Sequence, residues 1–322
     1  MRQRQVGRSG LRVSRLGLGT WLWGKDTDAH EARDQLVAFV EAGGTLLDTA
    51  AAYGDGLSEQ LLGGMLDDVV DRDDVVVATK AGTGARGGAR VRDTSRGAML
   101  HQLDRSLGLL GIDTVDLWQV HVWSDAAPLD ETLAAMDHAV ATGRARYAGV
   151  SNYTGWQTAR AATWQEAVPG RTRLVSTQVE YSLLNRDVED EVVPAARATG
   201  MGVLAWSPLG RGVLTGKYRA GVPADSRAAS PALEGNVAVY LDARSRGIVE
   251  ACCRAAEGLD LSPAEVALAW VRDRPGVTAA VVGARTAAQL RGVLAAEEVE
   301  LPDQIVAALD DVSGPEVGDP AP

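Results

Sequence analysis

At 322 residues, with 46% hydrophobic and 23% charged side chains, the chain carries apolar material for a sizeable core, and its length suits two average domains or one large α/β barrel. A net charge of -11 argues against nucleic acid or an anionic membrane as a general partner, because those surfaces are gripped by basic patches. The only cysteines, Cys252 and Cys253, are adjacent and leave no disulfide framework or C-x-x-C site, and no stretch reaches the roughly 18 to 20 apolar residues of a membrane span.

In chain order, "MRQRQVGRSGLRVS" lacks the apolar segment of a secretory signal, so a reducing cytoplasm is the expected location. Short β-branched runs then alternate with stretches of helical spacing. Strands are predicted at 14–19, 45–50, 75–80, 115–121, 145–152, 174–181, 202–208 and 279–284. Helices are predicted near 29–42, 58–66, 95–109, 130–142, 155–167, 187–199, 244–257 and 286–296. Gly43 and Gly44, Gly143 and Gly200 sit where helices should end, and Thr94, Asp130 and Thr154 where they should begin. This alternation implies parallel strands joined by right-handed crossovers, and eight such units suggest a closed barrel over residues 1–315 with a loose tail at 316–322. An open doubly wound sheet is the alternative. The glycine-rich segment 208–243 interrupts the spacing and predicts a long loop after the seventh strand, on the face where barrels place their chemistry.

The stretch "VVVATKAGTGARGG" (75–88) offers two readings. Gly82, Gly84 and Gly87 have the G-x-G-x-x-G spacing of a dinucleotide-binding turn, but no helical period begins until about Thr94, so the phosphate-binding helix start is missing. The other reading centres on Lys80, one of only three lysines in an arginine-rich chain. The second predicted strand ends at Asp48 with Tyr53 just beyond, the third at Lys80 and the fourth at His121. In a parallel barrel those ends open on one face, which would bring the four side chains together. An ammonium beside a phenol favours the phenolate and so makes the phenol a better acid, while a carboxylate keeps the ammonium charged and in place. Taken singly, each residue is as well explained by a cap, a loop aromatic, a solvated strand end or a satisfied core histidine.

The segments "LLDTAAAYGDGLSEQLLG", "VVVATKAG", "VDLWQVHVW", "YAGVSNYT", "STQVEYSLLNR", "LAWSPLGRGVLTGKY" and "AVVGARTAAQL" occur in an order that resembles the aldo-keto reductase family, in particular the bacterial branch related to potassium-channel β subunits. The resemblance implies a single (β/α)8 TIM barrel with a short N-terminal β-hairpin cap and long loops at the carboxyl-end face. It also implies NADPH or NADP+ bound without a Rossmann domain. Tyr53 would be the general acid of carbonyl reduction, Lys80 and Asp48 would tune it, and His121 would orient the carbonyl. Gly19, Thr20, Trp21 and Asp48 would border the cofactor. Ser151, Asn152 and Gln178 would hold the carboxamide and Trp206 would stack on the nicotinamide. Ser207, Pro208, Leu209, Gly210, Arg211 and Gly212 would wrap the pyrophosphate, with Lys217 and Arg227 adding charge, and Gly283, Arg285 and Gln289 would hold the adenosine end. Val293 replaces the family's usual asparagine near the adenine.

Trp21, Trp23 and Trp123, beside predicted strand ends, suggest with Tyr53 and His121 an apolar pocket for a small-molecule aldehyde or ketone. Trp118, Trp156, Trp164 and Trp270 read as packing residues. His30, His101 and His138 lie on helical stretches and form no metal constellation. The expected partner is thus a small carbonyl compound rather than nucleic acid or membrane, and a homo-oligomer is compatible with the sequence. Two rivals stay open: a cofactor-sensing subunit with little turnover, against which His121 argues because the channel-associated relatives carry asparagine there, and a barrel enzyme using Lys80 as a Schiff-base nucleophile.

Overall fold

A strongly apolar run buries both of its faces when helices cover one side of its sheet and the sheet closes on the other, and eight of them do so. The computed structural model describes residues 1–86, 89–224, 226–230 and 233–314. In chain order the elements are β1 (Gln3–Gln5), β2 (Arg12–Ser14), β3 (Leu16–Gly19), α1 (Ala29–Glu41), β4 (Leu46–Asp48), α2 (Leu57–Gly63), β5 (Val76–Ala81), β6 (Thr83–Arg86), β7 (Ala89–Arg92), α3 (Arg96–Leu110), β8 (Val115–Val120) and α4 (Leu129–Ala141). They continue as β9 (Ala145–Ser151), α5 (Gly155–Glu166), β10 (Leu174–Glu180), α6 (Val192–Thr199), β11 (Gly202–Trp206), α7 (Glu234–Ala238), α8 (Ala243–Leu259), α9 (Pro263–Arg272), β12 (Val277–Val282), α10 (Ala287–Leu294) and α11 (Asp303–Ser313).

Strands β3, β4, β5, β8, β9, β10, β11 and β12 pair in parallel, each with its neighbour in sequence order, and β12 returns to β3. The single (β/α)8 barrel expected from the sequence is therefore the fold. Alternation along each strand sorts its side chains: Leu46, Ala78, Leu117, Leu204 and Ala279 fill the barrel, whereas Leu47, Val77 and Trp118 join the helical ring with Leu36, Phe39, Leu62 and Leu133. By the same period-two rule Asp48 shares the inward face with Leu46, and Lys80 shares it with Ala78.

The hairpin β1–β2 closes the barrel's amino end, where Val6, Leu11 and Val13 pack into the interior cluster. Its turn depends on Gly7, at φ +52, where a Cβ would lie 2.4 Å from the Gly200 carbonyl oxygen. With that end sealed, the opposite rim is left for chemistry. Among the described residues no helix is long and apolar enough to cross a membrane.

Several local expectations need correction. Thr154 does cap α5, in a reciprocal box with Gln157, but α3 begins after Ser95 and α4 after Pro128. Thr94 is instead buried against Thr132, which donates to its hydroxyl at 3.1 Å, and Asp130 lies inside the first turn of α4. The helix expected at 187–199 is broken into a 3-10 turn at Asp187–Glu189 and α6, because Pro194 has no N–H and is tolerated only in a first turn. The helix expected at 58–66 stops at Gly63. Trp118 and Trp270 are buried as expected, but Trp156 and Trp164 are 54% and 43% exposed.

The segment 82–93 is not the entry to a helix. Thr83 to Arg86 pair antiparallel with Arg92 to Ala89, so the glycine spacing belongs to a hairpin rather than a nucleotide-binding turn. Gly87, the third glycine of that spacing, and the 316–322 tail lie outside the described residues.

Candidate active site

The carboxyl ends of β4, β5 and β8 converge as strand register requires: Asp48 lies opposite Ala78 across β4 and β5, and Lys80 opposite Gln119 across β5 and β8. The Lys80 Nζ donates to Asp48 Oδ2 at 2.7 Å, to the Thr49 carbonyl at 2.9 Å and to Tyr53 Oη at 3.3 Å. Lys80 is 1% and Asp48 2% exposed, so this is a buried ion pair. Removing one partner from such a pair typically costs about 3–5 kcal/mol, which keeps the ammonium where it is. Burial alone would depress the Lys80 ammonium; the Asp48 carboxylate and the Tyr53 hydroxyl outweigh it and hold the lysine above its ordinary value. The second Asp48 oxygen, Oδ1, accepts from Gln178 Nε2 at 2.8 Å, tying β10 to the same group.

His121 stands on the other side of the tyrosine, its ring 5.8 Å from that of Tyr53 and nearly perpendicular to it. The backbone N–H of His121 donates to the Ala81 carbonyl, and its Nδ1 is 3.0 Å from the Thr83 hydroxyl. Thr83 is the first residue of the hairpin of β6 and β7. Its role depends on where the hairpin folds, so no local signal marks it. The four strand-end residues singled out from the sequence are thus brought together.

The residues expected at the carboxamide form one hydrogen-bonded layer. Asn152, at φ 56, donates from Nδ2 to the His121 carbonyl at 2.9 Å and accepts from Trp206 Nε1 at 3.0 Å, while the Ser151 hydroxyl donates to the Gln178 carbonyl at 3.0 Å. This layer holds the Trp206 indole in place beside the mouth.

Beyond β11 the chain turns through left-handed backbone at Ser207, Gly210, Arg211 and Gly212. At φ +53, and with Leu184 Cδ1 2.6 Å from where a Cβ would lie, any other residue at Gly210 would be strained. Within this turn the Gly210 and Gly212 N–H groups donate to the Ser207 and Leu209 carbonyls at 2.9 and 3.0 Å. The Arg211 guanidinium makes a bidentate pair with Glu180 at 3.0 and 2.8 Å and bonds the Asn236 carbonyl. Only its backbone N–H, bonded to Ser207 Oγ, belongs to the turn. Lys217 lies over the Tyr218 ring, 5.2 Å from its centre.

Arg227 is half-buried, 5.9 Å over the Trp21 ring, and makes no ion pair with an acid among the described residues. Burial pushes its guanidinium below the ordinary value, and the like charge of Arg285 adds to that fall. An arginine with no acid paired to it among the described residues suits an anionic group of a ligand. Among the residues expected at an adenosine end, Gln289 Oε1 accepts from the Arg285 N–H at 3.1 Å, and Val293 packs against the core. The chemistry of these donors fits a phosphorylated dinucleotide.

The pocket assignment needs one correction. Trp23 is fully buried, with its indole N–H bonded to Gln35 Oε1 at 3.0 Å, so it packs α1 against the barrel and offers no surface to a ligand. Trp123 is partly buried and has Asp125 as its acceptor at 2.7 Å. Trp156, read from the sequence as core, instead lies against Trp123. Among the described residues, no group of three or more His, Cys, Asp or Glu is placed to hold a metal ion.

The family profile described as "Aldo/keto reductase family" matches residues 15–313. The chain is 37% identical over 320 residues to the uncharacterized oxidoreductase YrpG of Bacillus subtilis (strain 168), covering 95% of this chain and 94% of that one. It is 37% identical to a probable voltage-gated potassium channel subunit beta of Oryza sativa subsp. japonica, covering 88% and 87% of the two chains. It is 33% identical to the L-glyceraldehyde 3-phosphate reductase of Escherichia coli (strain K12), covering 90% and 86%.

Proposed function

The chain belongs to the aldo/keto reductase family, and from that premise we propose that it is an NADPH-dependent oxidoreductase that reduces aldehydes or ketones to alcohols. The observation that carries this reading is the buried Lys80 whose Nζ reaches both Asp48 and the Tyr53 hydroxyl. Reduced nicotinamide, when bound, supplies the hydride to the carbonyl carbon. The residues that would hold it are Ser151, Asn152, Gln178 and Trp206 at the ring, the 207–212 turn at the pyrophosphate, and Arg227, Arg285 and Gln289 at the adenosine end.

Because Lys80 donates to the Tyr53 oxygen, the phenol's own proton is directed away from the lysine and toward the mouth. As the carbonyl π pair moves onto oxygen, Tyr53 Oη gives that oxygen its proton, and the ammonium beside it stabilises the phenolate left behind. Solvent then returns a proton to Tyr53. If the Thr83 hydroxyl donates to His121 Nδ1, the histidine proton sits on Nε2, where it can hydrogen-bond the carbonyl oxygen as negative charge develops. The relative named for L-glyceraldehyde 3-phosphate supports an aldehyde as substrate.

The test of cofactor and reaction together is nicotinamide oxidation with a panel of aldehydes, using NADPH and NADH in turn, in wild type and Arg227→Ala. NADPH should be preferred, and the variant should lose about tenfold or more of that preference, the worth of one charge-assisted hydrogen bond. Equal use of the two cofactors by wild type would remove the assignment of Arg227 and Arg285 to a 2'-phosphate.

A further inference from the structure

Two loops leave the barrel side by side at the ends of β8 and β9, and Asn152 ties them together by its bond to the His121 carbonyl. On these loops three aromatic rings meet. Trp123 lies edge to face with Tyr153 at 5.2 Å and with Trp156 at 5.2 Å, and its planes cross at 76° and 64° respectively. Tyr153 is buried at 3% exposure and forms the base; Trp156, in the first turn of α5, is 54% exposed. The Asp125 carboxylate fixes the Trp123 indole through its N–H, so the ring does not swing freely.

We propose that Trp123 and Trp156 form an outer subsite for a flat aromatic ring carried by the carbonyl substrate. Trp123 is two residues beyond His121, so their Cα atoms are at most about 7 Å apart. Crossed indole planes offer one face for offset stacking and a second ring for an edge contact, the two geometries that aromatic rings prefer. A large exposed tryptophan at a mouth, held by a second tryptophan that is itself hydrogen-bonded, is a preformed surface that costs little to order on binding. A short aliphatic aldehyde fills the inner mouth and does not reach Trp156. The subsite therefore selects aryl aldehydes and ketones with a ring beyond the carbonyl. This inference rests on the carbonyl-reductase reading for its chemistry and on the aromatic geometry for its specificity.

The experiment uses the full chain as wild type, Trp156→Ala and Trp164→Ala. Trp164 is a second exposed tryptophan of α5, eight positions further along the helix and stacked under Arg171 at 5.2 Å, and it serves as the control. The ratio of kcat/KM for 2-naphthaldehyde to that for propanal should fall about fivefold in Trp156→Ala and stay at the wild-type value in Trp164→Ala. In parallel, calorimetric titration with 2-naphthamide, which offers the ring without a reducible aldehyde, should show affinity weakened about fivefold by Trp156→Ala alone. An unchanged ratio and unchanged naphthamide affinity in Trp156→Ala would overturn the subsite. Ring binding lost in Trp156→Ala, in a protein that reduces neither aldehyde, would keep the subsite and defeat the reductase reading instead.

Discussion

Thr83 shows how much of the candidate chemistry depends on single atoms. Its hydroxyl, 3% exposed as a residue, is 3.0 Å from His121 Nδ1 and can donate to that nitrogen or accept from it, so it fixes the orientation of the imidazole in either tautomer. It is a positioning residue. Thr83→Val keeps the shape and removes the hydrogen bond, and we expect kcat to fall about tenfold with KM for the aldehyde changing less, together with a shifted pH profile; Thr83→Ser should restore both. A variant with wild-type kcat and pH profile would show that His121 is oriented without the hydroxyl. Asp48, Tyr53, Lys80 and His121 were legible because strand ends can be read from hydrophobic runs. Thr83 was not, because only the folded hairpin brings it to the histidine.

At the scale of elements, α2 is fastened to β5 by a carboxyl group. Glu59 is fully buried and its Oε1 accepts from the Thr79 hydroxyl at 2.6 Å, while Oε2 has no hydrogen-bond partner. Burial raises the Glu59 pKa above the ordinary carboxylate value, with Thr79 and the charges of Arg105 and Lys80 opposing it only in part. The folded state thus binds this proton more tightly than the unfolded chain does. Stability from the protonated carboxyl is complete below the ordinary value of 4.5 and is lost as pH rises through the elevated native value. Glu59→Gln keeps the Thr79 acceptor and does not titrate, so its stability relative to wild type should increase from acid to neutral pH, as read from denaturant midpoints. A constant difference across that range would mean that Glu59 titrates in the fold as it does in the unfolded chain.

Element boundaries teach a related lesson. The α9 segment, outside the eight helices expected from spacing, carries its own start signal in the Ser262–Glu265 capping box with Pro263 at the first helical position. The hairpin of β6 and β7 was illegible for a different reason. Gly, Ala and Arg give no apolar alternation, so nothing in "TGARGGARVR" distinguishes a paired ribbon from a loop. Trp156 lies off the buried stripe of α5, which runs through Gly155, Thr158, Ala161, Ala162 and Gln165, and its ring meets Trp123 instead.

At the scale of the whole molecule, closure of the barrel turns three sequence-distant strand ends into one site. Asp48 and Lys80 are 32 positions apart, and Gln178 is 130 positions from Asp48, yet all are hydrogen-bonded within one buried cluster. The eight-strand alternation was visible in the chain because buried parallel strands need apolar β-branched runs and their crossovers need amphipathic helices. The long passage after β11 was visible as an exception to that rhythm. What it holds was not: the Arg211 guanidinium is bound to Glu180, which also accepts from the Tyr240 hydroxyl, so this arginine braces the loop rather than facing a ligand.

The central claim is that this convergence makes Tyr53 the proton donor of carbonyl reduction. Its most direct test follows NADPH oxidation with an aldehyde in wild type and Tyr53→Phe, with cofactor binding measured in both by tryptophan quenching. Turnover in the variant should fall by about 10²- to 10⁴-fold while NADPH affinity stays at the wild-type level. Equal turnover rates in the two proteins would contradict the claim.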